Sequence, residues 1–336
     1  MIRVINPGLL TTVQDEGRFG LYHIGMPPSG AMDRFSYRVG NYLVGNPDGA
    51  ASIEATYLGP HLAFAEDAVI AITGAEMQAK INGRPGATWE ALQVKASDVL
   101  SFDFLRSGAR SYIAVAGGID VPVVLGSRST YPLTGIGGHK GRKLEAGDDL
   151  PVGPAPPRST GQVGVRVDDA HIPTFSAEAE LRVVMGLFCY RLTDQSREAF
   201  LDTVWTVTPD ADRIGYRYRG GTLEFVPREQ PFGAGSDPSN VVDVGYPVGS
   251  IQVPGGVEPI VLLNDAVTGG GYATIGTVIS VDLNRLAQTK TNDKTRFRSV
   301  ALDEALEARK QWKQQLAEIR QAVAPQTAGA SGPSTP

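Results

Sequence analysis

Ala68-Val69-Ile70-Ala71-Ile72 and, a few residues on, Ala79-Lys80-Ile81-Asn82-Gly83-Arg84-Pro85 decide the fold class. The first is a short apolar run of the kind a buried strand requires. The second carries Asn-Gly, a pair that tolerates positive φ and so closes tight hairpins. Tyr112-Ile113-Ala114-Val115-Ala116 repeats the first pattern and ends on glycine. Forty glycines and 23 prolines in 336 residues multiply the turns between such strands. The expectation is a mainly β protein with a few helices.

Three helices stand out. Asp33 caps one that runs to about Val44, with Tyr37, Val39, Tyr42 and Leu43 on its apolar side. Thr193 caps a second, burying Phe200 and Leu201. Leu302, Leu306, Leu316, Ile319 and Val323 recur at helical spacing in a third over 301–323, expected to pack on its own barrel. Strands are expected over Leu181–Met185, Val204–Val207, Thr222–Val226, Pro259–Leu263 and Thr274–Leu283. Helices are too few for alternating βαβ units. The division expected is a β-barrel-like unit over 1–150, a Pro-rich connection over 151–179, a second barrel over 180–300, a helix over 301–324 and a disordered tail over 325–336.

Composition excludes several functions. A net charge of −5 does not suit a protein that tracks phosphates. Cys189 is the single cysteine, so no disulfide framework exists within the chain and a reducing, cytoplasmic setting is expected. The start, Met1-Ile2-Arg3-Val4-Ile5-Asn6-Pro7-Gly8, reads as a strand and turn rather than a signal peptide. No run approaches the ~18 apolar residues of a membrane helix.

Several catalytic signatures are missing. The four histidines form no HExxH pair, and no cysteine pair is available for zinc. Gly135-Ile136-Gly137-Gly138-His139-Lys140-Gly141 matches neither a Walker A loop nor GxGxxG. There is no GxSxG elbow, and Gly126-Ser127-Arg128-Ser129-Thr130 lacks the Gly-Gly-Ser-Ser-Gly-Gly run of amidase-signature enzymes.

A different series of motifs is present. It begins with Thr11-Thr12-Val13-Gln14-Asp15-Glu16-Gly17-Arg18-Phe19-Gly20 and Pro27-Pro28-Ser29-Gly30-Ala31-Met32-Asp33. It continues through Gly40-Asn41-Tyr42-Leu43-Val44-Gly45-Asn46, Glu54, Gly59-Pro60, Ala116-Gly117-Gly118-Ile119-Asp120-Val121-Pro122 and Leu125-Gly126-Ser127-Arg128-Ser129-Thr130. It ends with Asp212-Arg213-Ile214-Gly215, Gly249-Ser250-Ile251-Gln252-Val253-Pro254 and Gly269-Gly270-Gly271-Tyr272. In order and spacing this series resembles the KipA-like family, or allophanate hydrolase subunit 2, similar to the first half of the urea carboxylase carboxyltransferase domain and to the C subunit of 5-oxoprolinase. Ser239–Tyr246 is closer to urea carboxylase; Ile251–Pro254 and Gly270-Gly271-Tyr272 are closer to the oxoprolinase side. Asn264-Asp265-Ala266-Val267-Thr268-Gly269 departs from the usual Asp, two polar residues, Thr-Gly-Gly.

The resemblance implies cyclophilin-like β-barrels and a KipI-like partner chain that completes a shared cleft. It also implies carboxyl transfer or ATP-dependent amide opening on a small amide, urea-like or lactam substrate. No cofactor is expected to be bound tightly. Carboxybiotin or ATP would come from other subunits, such as a biotin carboxylase and carrier or a LamB-like chain. The competing reading is a regulatory protein that sequesters a KipI-like kinase inhibitor without turnover.

Carboxyl transfer to nitrogen needs an N–H proton acceptor, fixed dipoles for developing charge, and exclusion of water. The leading site is therefore Asn240, Asp243 and Asp265 as catalytic residues, with Tyr246, Gly270, Gly271 and Tyr272 against the substrate. Asn240 would orient the amide, and Asp243 or Asp265 would accept a proton or hydrogen bond. A turn shaped by Asn240 and Asp243 is the competing reading. Gln14, Asp15, Arg18, Ser29, Gly30 and Asp33 form a second cluster, in which Arg18 could hold a carboxylate bidentately. A structural Asp–Arg pair is its alternative. Gly117-Gly118 with Ser127, Arg128, Ser129 and Thr130 could nest an anion. His139 and Lys140 mark either a lid or a solvated loop.

Overall fold

The computed structural model describes residues 1–157 and 159–324; the tail expected over 325–336 lies outside them. The chain is mainly β, as expected, and it forms two β units of different kinds. The first is a nine-stranded sheet in the order Leu10–Gln14, Ser52–Thr56, Val99–Val115, His61–Phe64, Ile2–Asn6, Asp149–Leu150, with Ala68–Ile81 added on Val99–Val115 and two short strands added in turn on Ala68–Ile81. The second is a closed barrel of Glu178–Met185, Thr274–Val278, Ser250–Gln252, Ile260–Leu262, Gly215–Arg219, Trp205–Ala211 and Lys294–Ser299. The last of these pairs parallel to the first and closes it.

Both apolar runs that decide the fold become parts of long strands. Ala68–Ile81 and Val99–Val115 run antiparallel, with register shifts between Gly74 and Ala79. These bulges let long strands bend, and the sheet curls. Gly74 has φ +91°, and a Cβ there would lie 2.3 Å from the Arg110 carbonyl oxygen. Only glycine permits that approach. The Asn82-Gly83 hairpin forms as read, with Ile81 opposite Arg84 and positive φ at both turn residues.

Two stretches differ from the sequence reading. Thr222–Val226 is not a strand; only a single bridge joins Phe225 to Leu192. The strand from Thr274 stops at Val278, and Asp282–Leu286 is helical. The α-helices among the described residues are α1 (Arg34–Leu43), α2 (Asp194–Asp202), α3 (Asp282–Leu286) and α4 (Leu302–Ala322). The Asp33 and Thr193 caps accept from the Ser36 and Ser196 N–H groups.

Helix α4 does not pack mainly on the barrel that precedes it. Leu316, Ile319 and Val323 are buried in the first unit's cluster with Phe35, Val39, Leu43 and Trp89. Leu302 and Leu306 stay exposed. Arg38 stacks over Trp312, and Arg320 pairs with Asp48. Helical spacing names the apolar stripe of a helix but not the surface that receives it. Among the described residues no helix is long and apolar enough to cross a membrane.

A buried polar network joins the two units. Arg213 of the barrel donates to Glu54 Oε1 at 2.6 Å, to Asp265 Oδ2 at 2.8 Å, and to the Gly30 carbonyl at 2.8 Å. Glu54 Oε2 accepts from the Tyr112 hydroxyl and the Met32 N–H. Arg110 of the sheet donates to the Tyr216 hydroxyl and the Ala287 carbonyl in the barrel unit. Gln288 reaches back to Asp33 and to the backbone of Arg110. Burial pulls the Arg213 guanidinium towards deprotonation, but Asp265 and Glu54 more than offset it, and its pKa ends above the ordinary value. The network sets the angle between sheet and barrel, and so the geometry of whatever lies in the crease between them.

Candidate functional site

Several of the segments quoted as motifs meet beside that network. Asp15 organises the first group. Its carboxylate accepts from the Ser127 and Ser129 hydroxyls and from the Gly17 and Arg128 N–H groups. Gln14 donates to the Thr130 carbonyl, and Arg18 donates through Nη2 to the Ser129 carbonyl. The second and third clusters read from the sequence are thus one structure. Asp15 is its frame and is fully committed to it. The Arg128 guanidinium turns outward to Asp120 at 2.6 Å and does not join Arg18.

Arg18 is 1% exposed, yet its Nε and Nη1 have no hydrogen-bond partner among the described residues. Burial lowers the pKa of its guanidinium, while the charges of Asp15 and Asp265 work in the opposite direction. Buried donors normally find acceptors, so two free ones on a cation are exceptional. Ser29 is fully buried, and its hydroxyl likewise has no partner among those residues. Its φ is +51°, a region costly for a residue with a Cβ. Asn264 holds it there: the Ser29 N–H donates to the Asn264 carbonyl, and the Asn264 amide donates to the Ser29 carbonyl. Ser29→Gly should therefore hold or raise stability, by up to about 1 kcal/mol, while lowering turnover of the assembled enzyme. Paired melting and activity measurements check this; an unchanged rate would remove the hydroxyl from the site.

The Gly-rich loop over 131–141 lies over Arg18. Gly137 has φ +68°, and a Cβ on it would fall 2.1 Å from the Ser129 carbonyl and 2.7 Å from Arg18 Nη2. Asp148 anchors the loop's far end through Arg142, Lys140 and the Glu145 N–H. Above all the Arg142 hydrogen bond, against a smaller opposing effect of burial, holds the Asp148 carboxyl well below the ordinary carboxylate range. Its folded pKa is below its unfolded one, so this stabilisation is present above about pH 4 and is lost as acid titrates the folded group. Asp148→Asn should loosen residues 131–147 at neutral pH, read as faster hydrogen exchange there, and should abolish that segment's acid dependence.

The leading group from the sequence forms a two-stranded ribbon beside the barrel. Asn240–Gly245 pairs with Gly269–Tyr272, with Asn240 opposite Tyr272 and Val244 opposite Gly270. Asn240, Asp243, Tyr246, Gly270, Gly271 and Tyr272 are thus brought together. Asn240 Oδ1 is buried without a donor among the described residues, and its backbone carbonyl accepts from Arg191. Asp243 is exposed. The Tyr246 hydroxyl accepts from the Tyr272 N–H and donates to the Tyr272 carbonyl, and burial raises its pKa. That hydroxyl therefore braces the ribbon, and Tyr246, 3% exposed, is a strut rather than a substrate contact. A Cβ at Gly270 would meet the Tyr246 ring at 3.2 Å.

Asp265 sits elsewhere. Both its carboxylate oxygens accept from Arg213, and the residue is 3% exposed. It belongs to the lock between the units, so the expectation that it takes a substrate proton is replaced by a structural role. Its segment still links the two groups. Asn264 grips Ser29, Ala266 packs on Tyr246, and the Thr268 carbonyl accepts from the Tyr246 N–H. Sequence reading missed Arg213, Glu54 and Asn264 as functional partners. Arg213 and Glu54 stand among the quoted motifs, but nothing local shows that they pair across 159 positions.

Residues 24–299 match the family model described as carboxyltransferase domain, subdomain A and B. The chain belongs to this carboxyltransferase family. Gln14, Asp15 and Arg18 precede the matched segment. The chain is 36% identical to the C subunit of Escherichia coli 5-oxoprolinase over 309 residues, 92% of this chain and 94% of that one. It is 33% identical to a putative urea carboxylase of Emericella nidulans over 95% of its own length but only 26% of the relative's. The crystal structure of Kluyveromyces lactis urea amidolyase superposes with a TM-score of 0.89 at 31% identity, over 95% of this chain and 20% of that one. The chain is thus similar to a whole oxoprolinase subunit and to about a quarter or less of the urea enzymes. Among the described residues, the Arg18 cluster and the Asn240 ribbon both carry motif residues with buried, unsatisfied polar atoms.

Proposed function

We propose that this chain is the carboxyltransferase-like component of a multi-subunit enzyme acting on a small amide, urea-like or lactam substrate. A KipI-like chain completes the cleft. The single observation that carries this reading is the set of uncommitted buried polar atoms: Arg18 Nε and Nη1, Ser29 Oγ and Asn240 Oδ1. They offer donors for an oxygen bearing negative charge and an acceptor for an amide N–H. A planar nitrogen compound and an activated carboxyl group need this combination.

These residues fit a carboxybiotin brought by another component, which would supply the activated carboxyl group when bound. Arg18 and Ser29 would hold a carboxyl oxygen, and their dipoles are fixed in advance by Asp15 and Asn264. Asn240 Oδ1 would accept an N–H of the substrate and orient it. Asp243, the exposed carboxylate on the same strand, would receive the proton. The partner and the loop over 131–141 would exclude water. Similarity to the C subunit of 5-oxoprolinase supports an ATP-consuming assembly equally well, with ATP bound by another component.

The test is co-purification with the KipI-like chain, followed by a screen of urea, guanidine derivatives and 5-oxoproline. ATP is present throughout, with and without a biotinylated carrier. Turnover should appear for one substrate class, and Asn240→Ala should abolish it while the complex stays intact. An inert complex across the panel would instead support non-catalytic sequestration of a KipI-like inhibitor.

A further inference from the structure

A cavity of about 550 Å³ is lined by Asp33 but by neither Arg18, Ser29 nor any residue of the ribbon. Four parts of the chain wall it: the start of α1, the connection at Ala170–Phe175, the barrel with α3, and α4. Its volume is in the range of small-molecule sites, about 300–1,000 Å³. Junctions between units are where such sites concentrate.

The charges that line it are unequally committed. Asp282 is held by Arg182 through both oxygens, and Glu180 is held by Arg298. Asp33 is 1% exposed and bonded to Gln288 and Ser36. Arg182 and Arg298 are occupied by the same pairs. Arg285 is different: it is exposed, and among the described residues no carboxylate lies within ion-pair distance of it. His171, which also lines the cavity, likewise has no ion pair among them. Asp33, buried, has only the neutral partners Gln288 and Ser36, so Arg285 is the lining cation that is both exposed and without an ion pair among the described residues. Phe175 and Trp312 provide partly exposed aromatic walls.

We propose that this cavity binds a small aromatic carboxylate, its carboxyl group on Arg285 and its ring against Phe175 and Trp312. A guanidinium free of other partners is the natural seat for a carboxylate. Flat aromatic walls suit a ring. Because α1, the barrel unit and α4 all wall the cavity, a bound ligand would hold the folded junction and raise the melting temperature by linkage. The proposal is independent of the chemistry assigned to the crease.

Trp312 is a built-in reporter, since Trp89 and Trp205 are buried at 5% and 0% exposure. The full chain would be titrated with benzoate, 3-phenylpropionate and, as the cationic counterpart, benzylamine. The two carboxylates should quench tryptophan fluorescence saturably, with a Kd of about 1 mM for such small probes, and raise the melting temperature. Benzylamine should do neither. Arg285→Gln should weaken carboxylate binding about tenfold. Trp312→Phe should remove the fluorescence change but keep the thermal shift. No saturable response to either carboxylate, equal binding of benzylamine, or indifference to Arg285→Gln would each overturn the proposal.

Discussion

Arg213→Met is expected to destabilise the protein by about 3–5 kcal/mol, the cost of stranding buried charges by removing one partner. The guanidinium is 4% exposed and bridges Glu54 and Asp265, both nearly inaccessible. Methionine fills much of the volume but strips Asp265 of its ion-pair partner and leaves Glu54 only Arg110, at 4.0 Å. It also deprives the Gly30 carbonyl of its donor. Chemical denaturation should show the loss. The triple variant Arg213→Met, Glu54→Gln, Asp265→Asn should recover part of it, since the stranded charges are gone. A loss below about 1 kcal/mol would mean that water reaches the network and that it does not hold the units in place. The same reasoning fixes how an Asp265 variant must be read: a fall in activity there would accompany a fall in stability.

Arg18→Gln should have the opposite profile. Removing a donor that stabilises developing negative charge typically costs about 10²- to 10³-fold in rate, and that loss is expected in the assembled enzyme. Stability should change by less than about 1 kcal/mol. The wild-type guanidinium spends only one of its nitrogens, on the Ser129 carbonyl. Burying a cation with two idle donors is a cost that folding alone does not explain. Glutamine keeps one N–H donor for Ser129 and removes the charge. Melting curves and steady-state rates on the same preparations separate the two effects. If stability fell steeply and the rate per folded molecule did not, Arg18 would be a structural residue of the Asp15 frame.

Much was legible from residues close together in the chain. The Asn82-Gly83 turn, the Asp33 and Thr193 caps and the C-terminal half of the α4 stripe depend on neighbours within a few positions, and the structure contains each of them. The motifs from Gln14 to Arg18 and from Asn240 to Tyr246 were also visible, because side-chain types at fixed spacing survive in the sequence whatever the fold does. The Asn240 ribbon with Gly270 was expected as a group and is one, since alternate pairing of two short strands needs only their own backbones.

What the chain alone determined, then, is its β character, its turns and caps, and the membership carried by its motifs. Only the tertiary structure decided that Asp265 serves Arg213 instead of a substrate, that Arg128 turns away while Arg18 stays buried with idle donors, and that α4 crosses to the first unit. The physical reason is range. Turn and cap energies are settled within one or two turns of backbone, whereas the state of a buried charge depends on partners more than a hundred residues away, brought within 3 Å only when sheet and barrel close on each other.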